Sequence, residues 1–407
     1  MRTGLLARHL ADAGHDVMWW ASRFDHGRRR RREIEQPDVA AGRHLTIRLL
    51  EGRGYQRSVG LARLRHHRAV AADFRARASF LARPDIIVCC MPTLELADAA
   101  TRYGEEHGVP VLLDLRDLWP DIFVEMMPRF FRPAGRLLMR RPSSSFAATC
   151  SRATGLIGIT DEFLNWGLAY AGRERRPSDL VVPHAYPSDT LPAEVIAKAE
   201  KLWDTLTVTD APDAFVVSFV GTLSRRLERQ GFLGDAIEAM SRLSERCPRL
   251  KLVICGDGEM LHTWSDKAAT LPNVVVPGRF DHAGIWALLA RSRVGLVPYP
   301  NSPDFSRSIP NKVGEYLSMG LPITSSLDGA VGRFLREHGC GETYPAGDPA
   351  RLADIWVRLY EDRSKWEQMS RRASEAYSAH LSADTVYPGL VTHLEQVAAA
   401  HSRGLTA

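Results

Sequence analysis

SIPNKVGEYLSMGLPI, residues 308–323, combines a helix and a strand in one short stretch. Pro310 stands at a helix start, Lys312 and Glu315 fall three apart on one helix face, and the helix stops at Met319-Gly320. An apolar strand follows at once. A helix that delivers the chain into a buried strand is part of a strand–helix–strand unit, the building block of α/β folds. A cation–carboxylate pair at this spacing contributes about 0.2–0.5 kcal/mol to an exposed helix. Surface stabilisation is therefore one reading of Lys312 and Glu315; ligand binding at the mouth of a strand is the other.

The same alternation extends in both directions. Strands are expected at DVMWWAS (16–22), HLTIRLL (44–50), DIIVCC (85–90), VPVLLDLRD (109–117), GLIGIT (155–160) and DLVVPHA (179–185). After a polar stretch at 186–213 the series restarts with FVVSFVGT (215–222), LKLVICGDG (250–258), NVVVPG (273–278), VGLVPY (294–299) and LPITSS (321–326). Continuous apolar strands separated by helices imply parallel sheets covered on both faces. Two such series imply two doubly wound, Rossmann-like domains. The expected boundaries are 1–190, 191–385 and a returning C-terminal helix at 386–407, with 186–213 as the hinge.

The six cysteines form no CxxC pair and several sit in apolar runs, so buried thiols in a cytoplasmic protein are expected, with no metal and no cofactor. Apolar runs are strand-length, too short for a membrane span. Charge is uneven. Residues 1–185 hold 29 Arg, no Lys and 21 Asp or Glu, a net +8, while the remainder is net −3. A basic first half points to an anionic partner. The Arg28–Arg32 run lacks the aromatic platforms or module that nucleic-acid binding needs, so it reads as a solvated loop.

In open parallel sheets, ligands bind outside the carboxyl ends of the strands. The loops there are 221–231, 255–260, 277–282 and 299–312. They contain Gly221, Gly256 and Gly258, which allow close backbone approach. They also carry the cations Arg225 and Lys312, and Glu315 as an acceptor for sugar hydroxyls. Helix N-termini add unpaired N–H groups for an anion. Turn formation alone accounts equally for the glycines, and solvation for Arg225, Arg226 and Arg229.

FVGTLSRR, VICGDGEM, VVVPGRFDHAGIWALLARSRVGLVPY and SIPNKVGEYLSMGLPI together resemble the successive motifs of family 4 glycosyltransferases, which have the GT-B fold. HLADAGHDV and DLRDLWPD resemble the branch that builds bacterial lipopolysaccharide and capsule sugars. The resemblance implies two Rossmann-like domains facing a cleft. It also implies retaining transfer from a nucleotide diphosphate sugar, without metal, to a glycan or polyprenyl-linked acceptor. UDP ranks ahead of GDP as the donor nucleotide. On this resemblance Arg225 and Lys312 serve the diphosphate, Gly278, Arg279 and Phe280 the base, and Glu315 the ribose. Contacts to the transferred sugar stay unassigned, with the backbone of Ser308, Ile309, Pro310 and Asn311, or Asp304, as the candidates.

Two departures stand out. Arg307 occupies the position of the first Glu in the family's Glu-x7-Glu motif, with Asp304 as a substitute. Arg116 and Asp117 stand where relatives often carry His-Asp. Arg116 is expected either to bind acceptor or phosphate, and Asp117 to orient a hydroxyl, or both belong to an internal Arg–Asp network. A non-catalytic nucleotide-sugar-binding subunit and an epimerase of the same fold are the rival readings. MMPRFFRPAGRLLMRR (126–141) reads either as a helix peripheral to an anionic membrane surface or as one packed on its own domain. Finally, MRTGLLARHLADAGHDVMWW opens directly in a helix with Leu5, Leu6, Ala7 and Leu10 to bury. The expectation is that Met1 is an internal start preceded by roughly 15–25 residues, leaving an unpaired sheet edge beside 16–22.

Overall fold

The computed structural model describes residues 2–34, 36, 38–57, 60–188, 191–204, 214–228 and 232–404. Met1, Arg229 and positions 205–213 of the expected hinge lie outside the described residues. The chain divides into two compact units, Met1–Pro183 with Val386–Ala407, and His184–Thr385.

In the first unit, β1 (Val17–Ser22), β2 (Asp38–Ala40) and β3 (Leu45–Leu50) form a sheet in the order β1-β3-β2. β1 and β3 are parallel from Val17↔Leu45 to Ser22↔Leu50. β2 runs antiparallel to β3 and was not expected from the sequence, which has no apolar run there. A second, wholly parallel sheet has the order β4 (Ile87–Cys90), β5 (Val111–Leu115), β6 (Gly155–Gly158), β7 (Leu180–Val181). Every residue of β5 is buried, as a strand covered on both faces requires. Among the described residues β1 and β4 are edge strands of separate sheets, so an edge does lie beside 16–22. Part of the Arg28–Arg32 run forms a short hairpin, Phe24–Asp25 with Arg30–Arg31.

The helix Arg2–Asp12 buries Leu5, Leu6 and Ala7 and, less expectedly, Arg2. Arg2 grips Asp114 of β5 with two hydrogen bonds of 3.0 Å and donates to the carbonyl of Pro183 at 2.6 Å. Arg116 approaches the same carboxylate at 2.8 Å and also donates to Thr3 Oγ1 at 2.8 Å and to Cys90 Sγ. Arg116 is thus part of an internal Arg–Asp network, while the neighbouring Asp117 is exposed. Burial pushes the Asp114 pKa up, but the Arg2 and Arg116 charges outweigh it and hold the group below the ordinary aspartate value. Tyr387, in the final helix Ala383–Ser402, donates to the carbonyl of Arg2 at 3.3 Å and stacks on His9. These contacts place the last helix from Val386 onward in the first unit.

The second unit holds one parallel six-stranded sheet. Its order is β10-β9-β8-β11-β12-β13, from β8 (Phe215–Thr222), β9 (Leu250–Asp257), β10 (Val274–Gly278), β11 (Ser292–Val297), β12 (Ile323–Ser325) and β13 (Gly341–Thr343). β13 carries Gly-Glu-Thr and lacks the apolar signature of its neighbours. The expected hinge needs correction. Tyr186 bridges to Ser382, and Ala193–Asp204 is a helix packed on the helix His282–Arg291. Trp203 is fully buried and its indole N–H donates to Gly284 O at 2.7 Å. The second unit begins at His184, not at 191, since Tyr186 is already tied to Leu381, Ser382 and Ala383 of that unit, and Ala199 and Trp203, one turn apart, give the polar stretch a buried face.

Removing the Asp114 carboxylate would leave two guanidinium groups without their shared counter-charge. Asp114→Ala should lower unfolding free energy by about 3–5 kcal/mol, read by chemical denaturation. Because the folded pKa is depressed, this contribution is present above the unfolded aspartate value and fades as pH falls through the lower folded one. Wild-type and variant stabilities should therefore converge only in acid.

Candidate functional site

In the second unit the chain lays down β8, β9 and β10 toward one edge, then returns to place β11 on the other side of β8. Neighbouring strands leave in opposite directions at this switch point, so their carboxyl ends open a crevice. β11 pairs with β8 only as far as Ser218↔Gly295. Two residues later, the polar backbone groups of Val220 are taken by side chains of the helix Asn311–Ser318. Val220 N–H donates to Tyr316 Oη at 2.9 Å, and Lys312 Nζ donates to Val220 O. The ammonium also lies 4.7 Å from the ring centroid of Phe219 and 5.1 Å from that of Tyr299. Backbone satisfaction and cation–π attraction thus hold one positive charge at the end of the central strand.

Glu315 lies one turn further along. Its carboxylate accepts from Tyr186 Oη at 3.3 Å, and the same hydroxyl is 3.3 Å from His282 Nε2. Among the described residues no ion pair joins Lys312 to Glu315; each has its own partners. The direct ion pair of the surface reading is therefore not formed, although the Lys312 charge still acts on Glu315. Burial raises the Glu315 pKa, opposed by Lys312, Tyr186 and His282. A partly buried carboxylate among a cation, a phenol and an imidazole suits a hydroxyl-bearing ligand that donates to it.

The glycines require a different explanation from ligand approach alone. A Cβ at Gly256 would collide with Gly221 O, and one at Gly258 with Leu223 O. Chain packing, not ligand access, requires glycine at these two positions. At Gly221 a Cβ would lie 2.6 Å from Lys312 Nζ, so this glycine makes room for the lysine. Leu223 N–H donates to Asp257 O, and Met260 N–H to Leu223 O, which ties the loops after β8 and β9 together. Arg225, exposed at the start of the short helix Arg225–Glu228, adds a bond from its backbone N–H to Glu259 Oε1 at 2.8 Å.

Gly278 ends β10 at positive φ, and Arg279 after it is exposed. Phe280 stacks on Trp203 with centroids 4.6 Å apart. Asp281 caps the following helix by accepting from Gly284 N–H at 2.9 Å. Ser308 Oγ donates to Asp304 O at 2.7 Å, and Ile309 and Pro310 lead half-buried into Asn311. The half-buried Arg307 closes the short helix Pro303–Ser306, and the Asp304 carboxylate accepts from Ser302 Oγ at 2.5 Å. Gly221 and Lys312 are thus brought into contact, and Gly256 and Gly258 pack beneath them. Arg116 and Asp117 belong to the first unit. Tyr186, His282, Tyr316 and Glu259 were missed by the sequence reading. Glu259 stood in plain view in GDGEM, whereas Tyr186 lies 129 positions from its partner and gave no signal.

Because the folded pKa of Glu315 is raised, ionising it weakens the fold, and that cost grows as pH rises from the unfolded glutamate value through the folded one. Glu315→Gln should match wild-type thermal stability in acid and exceed it at neutral pH. Melting temperatures of both proteins across that range provide the check; a constant difference would remove Glu315 as the source.

Comparison with known proteins adds an independent line. Residues 214–362 match the Glycosyl transferases group 1 family. Glycogen synthase of Mycobacterium tuberculosis is 26% identical over 182 residues, which are 44% of this chain and 42% of that protein. The chain thus matches less than half the length of this curated relative. Among solved structures, sucrose-phosphate synthase of Thermosynechococcus elongatus superposes with TM-score 0.70 at 15% identity, covering 97% of this chain and 92% of that one. Anabaena HepE in complex with UDP gives TM-score 0.60 at 15% identity, with 86% of each chain covered. The chain is α/β with the GT-B fold of two Rossmann-like domains, and its residues 214–362 are similar to the Glycosyl transferases group 1 family.

Proposed function

We propose that the protein is a retaining glycosyltransferase of the family 4 type. It moves a sugar from a nucleotide diphosphate sugar to a glycan or polyprenyl-linked acceptor in cell-surface polysaccharide synthesis, on the cytoplasmic side of a membrane. The observation that carries this reading is the Lys312 ammonium fixed at the switch point of a group 1 domain, one turn from Glu315. HepE is solved with UDP and with UDP-glucose, which favours UDP as the donor nucleotide here.

In this reading the anomeric carbon–oxygen bond to the diphosphate breaks while the acceptor hydroxyl forms a new bond to the same carbon. Negative charge gathers on the departing phosphate, and preorganised cations lower the barrier most when aimed at that charge. Lys312 is held by its backbone and ring contacts, and Arg225 stands exposed at the neighbouring loop. The acceptor proton passes to the departing phosphate oxygen, so no covalent nucleophile is assigned. Glu315 takes the ribose hydroxyls. Gly278, Arg279 and Phe280 face the base, and the backbone of Ser308 to Asn311 faces the sugar. Asp117 orients the acceptor. Arg116 shapes that side through Asp114.

Arg307, at the position of the family's first acid, favours one second reading: a subunit that binds nucleotide sugar without turning it over. Calorimetric titration with UDP and GDP, followed by a donor panel assayed for transfer and hydrolysis, separates the two. Arg225→Ala, Lys312→Ala and Glu315→Ala should each weaken UDP binding by about tenfold or more, as loss of a charge-assisted hydrogen bond predicts. Unchanged affinity in all three would place the nucleotide elsewhere. Binding without turnover of any donor would favour the non-catalytic subunit.

A further inference from the structure

Ten large hydrophobic side chains are exposed among the described residues, and half of them fall between positions 126 and 138. These are Met126, Phe130, Phe131, Leu137 and Leu138, and Phe130 is 77% exposed. Met126 closes the short helix Asp121–Glu125, Phe130 and Phe131 lie on a 3-10 turn, Arg129–Phe131, and Leu137 and Leu138 on the second turn of the helix Arg132–Arg152 that follows it. The expectation that this stretch packs on its own domain holds for part of it only. Gly135 is buried against Met127, and Phe146, Thr149 and Cys150 bury the later turns. The Phe and Leu side chains are left outside.

The turn is pinned from behind. Arg132 donates to Glu125 O at 3.0 Å and to Met127 O at 3.3 Å, so the two phenylalanines are presented on an ordered support. The surrounding charge is of one sign. Residues 126–141 contain five Arg and no acid. Arg129, Arg136, Arg140 and Arg141 are all exposed, and none has a protein partner among the described residues. Other arginines of this unit do pair with carboxylates, among them Arg48 with Asp38, Arg77 with Asp73, Arg152 with Asp98 and Arg173 with Asp179. An apolar patch of this kind marks an interaction surface, and a rim of uncommitted cations selects an anionic one.

We propose that Met126, Phe130, Phe131, Leu137 and Leu138 insert into an anionic lipid bilayer surface, with Arg129, Arg136, Arg140 and Arg141 on the headgroup phosphates. A flat acyl–headgroup boundary accepts aromatic and leucine side chains while arginines remain at the phosphate level. A second copy of the chain is a poorer occupant, because a two-fold contact would set like-charged arginine clusters against each other. The inference goes beyond sugar transfer and stands independently of it.

Cosedimentation with vesicles tests it. The full chain should pellet with phosphatidylcholine–phosphatidylglycerol vesicles at low salt and be released at high salt, with little retention on phosphatidylcholine alone. The double variant F130S/F131S should lose about tenfold or more in partitioning. Quadruple replacement of Arg129, Arg136, Arg140 and Arg141 by Gln should remove the preference for anionic lipid. Since all of these side chains are exposed, melting temperature and UDP titration should match the parent, which separates this proposal from the donor-site reading. Equal pelleting of parent and F130S/F131S would overturn it. So would a parent that ignores vesicles, or a concentration-dependent dimer abolished by F130S/F131S, which would assign the face to a second copy.

Discussion

The bond from Lys312 to the carbonyl of Val220 organises the second unit. β8 is the central strand of six, and its ladder with β11 runs out before its carboxyl end. A backbone group left unpaired there would cost as much as a lost hydrogen bond. The helix Asn311–Ser318 resolves this by supplying Tyr316 to the N–H and Lys312 to the carbonyl. The same contacts that complete the strand also fix a cation at the crevice, so stability and ligand chemistry share one set of atoms. Gly221 follows from this arrangement, because any side chain there would displace the ammonium.

The first unit solves a different electrostatic problem. Asp114 sits on a strand buried on both faces, where an unpaired carboxylate would be untenable. Two arginines from separate segments converge on it, and Tyr387 of the final helix reaches the backbone of one of them. The network joins the opening helix, the central strand and the last helix. It also draws Arg116 inward, while Asp117 next to it is exposed. The arginines of this half therefore include a paired set that builds structure and an exposed set, of which Arg129, Arg136, Arg140 and Arg141 lie beside exposed apolar side chains.

Much of the fold was legible because strand burial leaves a direct trace. β8, β9, β10 and β11 are runs of Val, Ile and Leu bounded by Gly or Pro, and their positions follow from that pattern to within a residue or two. β2 and β13 were illegible for the converse reason: short edge strands need pairing partners but no continuous apolar run. The helix Ala193–Asp204 was hidden because its polar surroundings masked one buried face, and only the packing of Trp203 against Phe280 and Gly284 makes that face necessary.

The candidate site divides along the same line. By itself the sequence determined the residue types and their order: glycines at the carboxyl ends of β8, β9 and β10, Arg225 in the loop after the first of them, and Lys312 with Glu315 on a helix that follows a proline. Spacing of three placed Lys312 and Glu315 on one face, yet it left open whether they pair with each other or with something else. The tertiary structure decided that. Strand order put Val220 beside Lys312 from 92 positions away, and the chain's return through Tyr186 put a phenol against Glu315 from 129 positions away. It also assigned Gly256 and Gly258 to packing, because the colliding atoms belong to other strand ends and loops. Local spacing records which side chains share a helix face; which backbone carbonyl or hydroxyl that face meets depends on sheet order and on burial, and neither is written in neighbouring residues.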